Sequence, residues 1–159
     1  MLRKVSVLVV DDFPDGRDML SEYLTFKGFS VHAASAGAEA VEIARRITPD
    51  VILMDLQMPG TDGCEATRQL KADPKTKGIT VVVVTARALQ KDADIAREAG
   101  CDAVIVKPFD MAVLADSLLR VPKEGPSVFD VPGLNRSPSP QPTSKARRRA
   151  ALAAPKNGR

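Results

Sequence analysis

Five short apolar runs, rich in β-branched residues, recur along the chain: VSVLVV (5–10), SVHAA (30–34), DVILM (50–54), ITVVVVT (79–85) and DAVIV (102–106). Each has the length of a strand and is bounded by polar or glycine-containing stretches. The first, third and fourth are almost continuously apolar, the pattern of central strands in a parallel sheet that helices cover on both faces. The second is mixed and is therefore expected at an edge; its His32, with no Cys, His or acid at ligand spacing, reads as structural.

Between the runs the period changes. The segments PDGRDMLSEYLTFKG, GAEAVEIARRI, GCEATRQLKAD, ALQKDADIAREAG and DMAVLADSLLRV are longer and richer in charge. Met19, Leu20, Tyr23 and Leu24 in the first, and Ala40, Val41, Ile43, Ala44 and Ile47 in the second, recur near helical spacing. They predict amphipathic helices with those residues turned toward the sheet. Gly28 and Gly100 stand where glycines end helices, and Asp110 stands where an N-cap begins one. Five strand–helix units with no dinucleotide-binding glycine fingerprint predict an α/β fold. The expected architecture is a flavodoxin-like (βα)5 three-layer sandwich around a parallel sheet of order 2-1-3-4-5.

That order concentrates chemistry at one edge, because ligands of open parallel sheets bind beyond the carboxyl ends of the strands. Asp11 and Asp12 follow the first run, Asp55 ends the third, Thr85 ends the fourth and Lys107 follows the fifth. Taken singly, the acids read as turn or cap residues and Thr85 as an ordinary strand residue. Together, three carboxylates repel unless one is protonated or a cation sits among them. Hard oxygen donors favour Mg²⁺. With Lys107 to pair a phosphoryl oxygen and Thr85 to hydrogen-bond another, Asp55 is left as the nucleophile of a phosphoryl-transfer site.

Charge divides the chain. Residues 1–120 hold 15 Lys+Arg against 18 Asp+Glu, whereas residues 121–159 hold 8 against 2. The second part also carries seven of the twelve prolines and no sustained apolar period, so a boundary is expected near Val121–Pro122. Residues 1–121 then form one domain and 122–159 a basic, Pro/Ser/Ala-rich, disordered tail, with a marginal helix over SKARRRAALAA. No run is long enough to span a membrane and the N-terminal apolar run leads into acids rather than a cleavage site, which predicts a cytoplasmic protein. Cys64 and Cys101 lack metal-ligand spacing and predict buried or half-buried thiols.

VVDDFPDG, ILMDLQMPGTDG, VVVVTARA and VIVKPF, in this order, resemble the receiver domain of two-component response regulators, over residues 4 to about 120. The resemblance implies that Asp55 accepts a phosphoryl group from a sensor histidine kinase or a histidine phosphotransfer protein. It makes Asp12 a direct Mg²⁺ ligand, Asp11 a partner in the same pocket, and the main-chain carbonyl of Gln57 a third ligand beside Asp55. It assigns Thr85 and Lys107 to the phosphoryl oxygens. It also implies a cis bond before Pro108, room for the donor at Ala86, and tuning of phosphoryl lifetime by Gln57 and Arg87.

One position departs from the pattern. Receivers commonly carry Tyr or Phe three residues before the lysine, and here Val104 stands there. Valine has no ring to swing between exposed and buried positions, so the usual coupling of Thr85 to the fourth and fifth helices is in question. The expected protein is a single-domain receiver that signals by docking on a downstream protein or by shuttling phosphoryl groups. It allows a weak homodimer and needs no sequence-specific DNA binding. Two alternatives stand beside this reading: a phosphorylation-independent adaptor, and a slow aspartyl-phosphate phosphatase, slow because Gln57 occupies the place of a second acid.

Overall fold

The computed structural model describes residues 3–56, 58, 63–86 and 90–134. Strands and helices alternate as the pattern predicts: β1 (Ser6–Val10), α1 (Pro14–Phe26), β2 (Ser30–Ala34), α2 (Gly37–Ile47), β3 (Val51–Asp55), α3 (Gly63–Ala72), β4 (Thr80–Thr85), α4 (Gln90–Glu98), β5 (Ala103–Val106) and α5 (Met111–Glu124). The strands form one parallel sheet of order β2-β1-β3-β4-β5, a flavodoxin-like arrangement with the mixed second run at the edge.

Period-two alternation sends each strand's residues to opposite faces. Val7, Val9, Leu53, Val84 and Ile105 pack with Leu24, Leu114 and Leu118 beneath α1 and α5. Leu8, Val10, Ile52 and Met54 pack with Ala40, Ala44 and Leu70 beneath α2 and α3. Val83 and Val104 meet Ala93 and Ala96 of α4. The small residues on α2 and α4 let those helices lie close to the sheet. Gly28 and Gly100, at φ 96° and 101°, end α1 and α4 in the left-handed region that only glycine enters without strain. Asp110 caps α5, its Oδ1 accepting from the amides of Ala112 and Val113 at 2.9 and 3.1 Å.

Two expectations are corrected. Met19 is 61% exposed rather than turned to the sheet. Leu20, Tyr23 and Leu24 take the inner face of α1, and Met19 falls to its flank. Nor does the packed unit end near Val121–Pro122. α5 continues through Pro122 to Glu124, and Gly125, at φ 73°, turns the chain into a 3₁₀ turn, Pro126–Phe129. Val128, Phe129 and Leu134 are buried in the α1/α5 core. The Asp110 amide donates to the Gly133 carbonyl at 2.8 Å, so the chain returns along α5 to the helix's own N-terminus. The helix expected over SKARRRAALAA lies outside the described residues.

Candidate functional site

The carboxyl ends of the strands meet where the order reverses, with β1 and β3 side by side. Val10 pairs with Met54, Asp55 with Val84 and Thr85 with Val106, so the residues that end these strands lie level with one another. Asp11 is held from several sides. Its amide donates to Ala34 O at 3.1 Å, its Oδ1 accepts from the Phe13 amide at 2.9 Å, and its carbonyl accepts from Arg17 Nη1 at 2.9 Å. Asp11 is buried, and Asp12 and Asp55 are half-buried.

One oxygen from each of Asp11, Asp12 and Asp55 lies within 4.8 Å of the others. Lys107 Nζ stands 3.5 Å from Asp11 Oδ2 and 3.9 Å from Asp55 Oδ2. Three carboxylates this close repel one another, and the Lys107 ammonium offsets part of that charge. The lysine contacts are long for ion pairs. Three hard oxygen donors this close suit a divalent cation such as Mg²⁺.

The Lys107 amide donates to Thr85 O at 2.8 Å, which fixes the start of the β5–α5 loop to the end of β4. Thr85 is 1% exposed, and the Lys107–Pro108 bond is cis, as the resemblance implies. Ala86 is exposed beside Thr85. The structure thus brings Asp11, Asp12, Asp55 and Lys107 together and Thr85 to the same edge. Gln57 and Arg87 lie outside the described residues. Val104 is buried between Val83 and the alanines of α4.

Two features carry little sequence signal. Gly63 begins α3 hard against the main chain of Asp55; a Cβ there would overlap the Asp55 carbonyl oxygen and lie 3.3 Å from Leu56 Cα. A cavity of about 310 Å³ opens beside the carboxylates, walled by Met19, Leu20, Pro108, Phe109 and Met111. Met19 belongs to it because it sits on the flank of α1. Among the described residues no helix is long and apolar enough to cross a membrane.

Comparison with known proteins agrees with this geometry. Residues 7–119 match the response regulator receiver domain family. The polar-differentiation response regulator DivK of Brucella ovis is 36% identical over 106 residues, covering 67% of this chain and 86% of DivK. Protein PilH of Pseudomonas aeruginosa is 37% identical over 115 residues, covering 72% of this chain and 95% of PilH. The receiver domain of the P. aeruginosa sensor histidine kinase PA1611 has a magnesium ion coordinated in its active-site cleft. It superposes with a TM-score of 0.69 at 33% identity, covering 74% of this chain and 97% of that domain. The chain belongs to the response regulator receiver domains of two-component systems, which are signalling modules rather than conventional enzymes.

Proposed function

We propose that this protein is the phosphoacceptor of a two-component or phosphorelay pathway, with Asp55 taking a phosphoryl group from a phosphohistidine on a sensor kinase or phosphotransfer protein. The observation that carries this reading is the cluster of Asp11, Asp12 and Asp55 within 4.8 Å, with Lys107 Nζ 3.5 and 3.9 Å from two of them. An Asp55 oxygen attacks phosphorus as the bond from phosphorus to the imidazole nitrogen breaks, and the imidazole leaves with the electron pair. Lys107 and the Thr85 hydroxyl meet the phosphoryl oxygens as charge spreads over them.

Asp11, Asp12 and Asp55 are the residues that would hold Mg²⁺, with the Gln57 carbonyl completing the set. The ion would neutralise charge on the attacking carboxylate and the incoming phosphoryl group. Ala86, small and exposed, leaves the donor's ring room to approach. The product carries about −1.5 to −2 of added charge at the strand ends, enough to bias a partner's binding through Thr85 and the β5–α5 loop. Mass gain of one phosphoryl group with acetyl phosphate and Mg²⁺, lost in Asp55→Asn, is the expected result. An unmodified wild type under those conditions refutes it.

A second reading, an adaptor indifferent to phosphorylation, draws on Val104, which fills its site between β4 and α4 at 1% exposure. Equal partner binding by wild type and Asp55→Asn under phosphorylating conditions would favour it.

A further inference from the structure

We propose that the chain's own basic segment, residues 145–152, docks across the acidic cluster and the neighbouring apolar cavity, where it excludes the divalent cation. The consequence for signalling rests on the phosphoacceptor reading above; the docking itself does not.

The first argument is where the chain leaves the fold. α5 runs away from the strand ends that carry the site, and a chain ending there would point to the far side of the sheet. Here the segment after Gly125 returns. Phe129 is 1% exposed and Leu134 fully buried, and the Gly133 carbonyl accepts the Asp110 amide at 2.8 Å. A Cβ on Gly133 would stand 3.2 Å from Val113 Cγ2, so the two segments are in close contact. The last described residue, Leu134, therefore lies beside the N-terminus of α5, on the side of the cavity wall formed by Pro108, Phe109 and Met111. This return path lies beyond residues 7–119, the part shared with the family.

The second argument is charge. After Leu134 the sequence carries seven Lys and Arg and no Asp or Glu, three of them consecutive at Arg147, Arg148 and Arg149. Their counterpart is the cluster Asp11, Asp12 and Asp55, followed by Asp15 in the first turn of α1. Guanidinium groups are suited to carboxylate pairs and shed water more readily than ammonium.

The third is shape. Leu152, with alanines on both sides, follows the arginines, and the cavity of about 310 Å³ beside the acids has Met19 and Met111 in its wall. Twelve residues separate Leu134 from Arg147, and the thirteen steps between them reach at most about 45 Å. That exceeds the fold's expected radius of gyration of about 14 Å threefold, so the tether permits the contact and charge selects it. Tethering supplies an effective concentration of order millimolar, so a weak contact is enough.

Arginines and Mg²⁺ compete for the same carboxylates, so each lowers the other's occupancy. The test uses the full chain and the variant Arg147→Glu, Arg148→Glu, Arg149→Glu, whose changes lie outside the described residues. Methionine methyl groups are followed by NMR at low salt, with buried Met54 as an internal control, and MgCl₂ is titrated alone. The Met19 and Met111 methyl signals are expected to differ between the two proteins and to converge in high salt. The variant is expected to bind Mg²⁺ roughly three- to tenfold more tightly, the inverse of the undocked fraction in wild type. Coincident methyl signals overturn the proposal, as does unchanged Mg²⁺ affinity. Differences that vanish on dilution assign the contact to a second copy and also overturn it. Should acetyl phosphate modify neither protein while both other results hold, the phosphoacceptor reading fails and the docking stands.

Discussion

Gly63, the first residue of α3, presses against the main-chain carbonyl of Asp55 so closely that no side chain fits between them. Nothing forces its φ positive; the requirement is one of space. Gly63→Ala would gain about 1 kcal/mol of helix propensity. Overpacking against rigid backbone costs about 1–3 kcal/mol and should win, because neither the helix start nor the strand end yields easily. Chemical denaturation should show a net loss of stability for Gly63→Ala, together with slower phosphorylation as Asp55 is displaced.

Lys107 should act with opposite signs on two ligands. Its ammonium stands 3.5 and 3.9 Å from two of the carboxylates that would hold the cation. Removing it in Lys107→Ala lifts a repulsion of about 1 kcal/mol at a solvated site, so Mg²⁺ should bind roughly fivefold more tightly. The same change removes a donor from the phosphoryl oxygens, and phosphorylation by acetyl phosphate should slow by about 10²-fold. Calorimetry and intact mass, run on one preparation, read both.

Phe129 tests where the folded unit ends. At 1% exposure it lies in the α1/α5 core although it falls outside residues 7–119. Phe129→Ala should cost about 3–5 kcal/mol in urea denaturation. Phe26, 86% exposed at the end of α1, is the matched control, and Phe26→Ala should stay within about 0.5 kcal/mol of wild type.

Asp73 gives a pH dependence remote from the site. The Lys75 amide donates to its carboxylate at 2.9 Å and the Arg45 guanidinium pairs with it, and these hold its pKa below the ordinary 3.8. The folded state therefore binds this proton less readily than the unfolded chain. Its contribution is present above the unfolded value and is lost as pH falls through the lower folded value. The Tm difference between wild type and Asp73→Asn should be level near neutrality and close as pH drops below about 4.

The sheet, its order and the residues at its carboxyl edge were legible because period-two apolar runs and terminal acids are local signals. Asp110 and the glycines at 28 and 100 were legible for the same reason: caps announce themselves within a turn. The segment from Pro126 to Leu134 was not. Val128, Phe129, Val131 and Leu134 are too few to sustain a helical period, and Pro126, Pro132 and Gly133 read as linker. Only the uncovered flank of α5 and β5 gives those residues a place, and that flank exists only in three dimensions. Met19 was misplaced because a run of apolar neighbours on one helix does not reveal which of them falls beyond the contact stripe. Cys64 and Cys101 fell as expected, one buried and one half-buried; burial pushes the Cys101 thiol up to about 11.

The return of the chain along α5 also governs where a label can be carried. Arg3 pairs with Asp50, just ahead of β3, at the end of the sheet remote from the carboxylates. Leu134 closes its path beside the cap of α5, Asp110, which stands three residues past Lys107. A fluorescent protein joined ahead of Arg3 would hang from the far side and leave the phosphodonor's approach open. The same protein joined soon after Leu134 would stand in that approach, so N-terminal labels are the ones suited to following this protein in living cells.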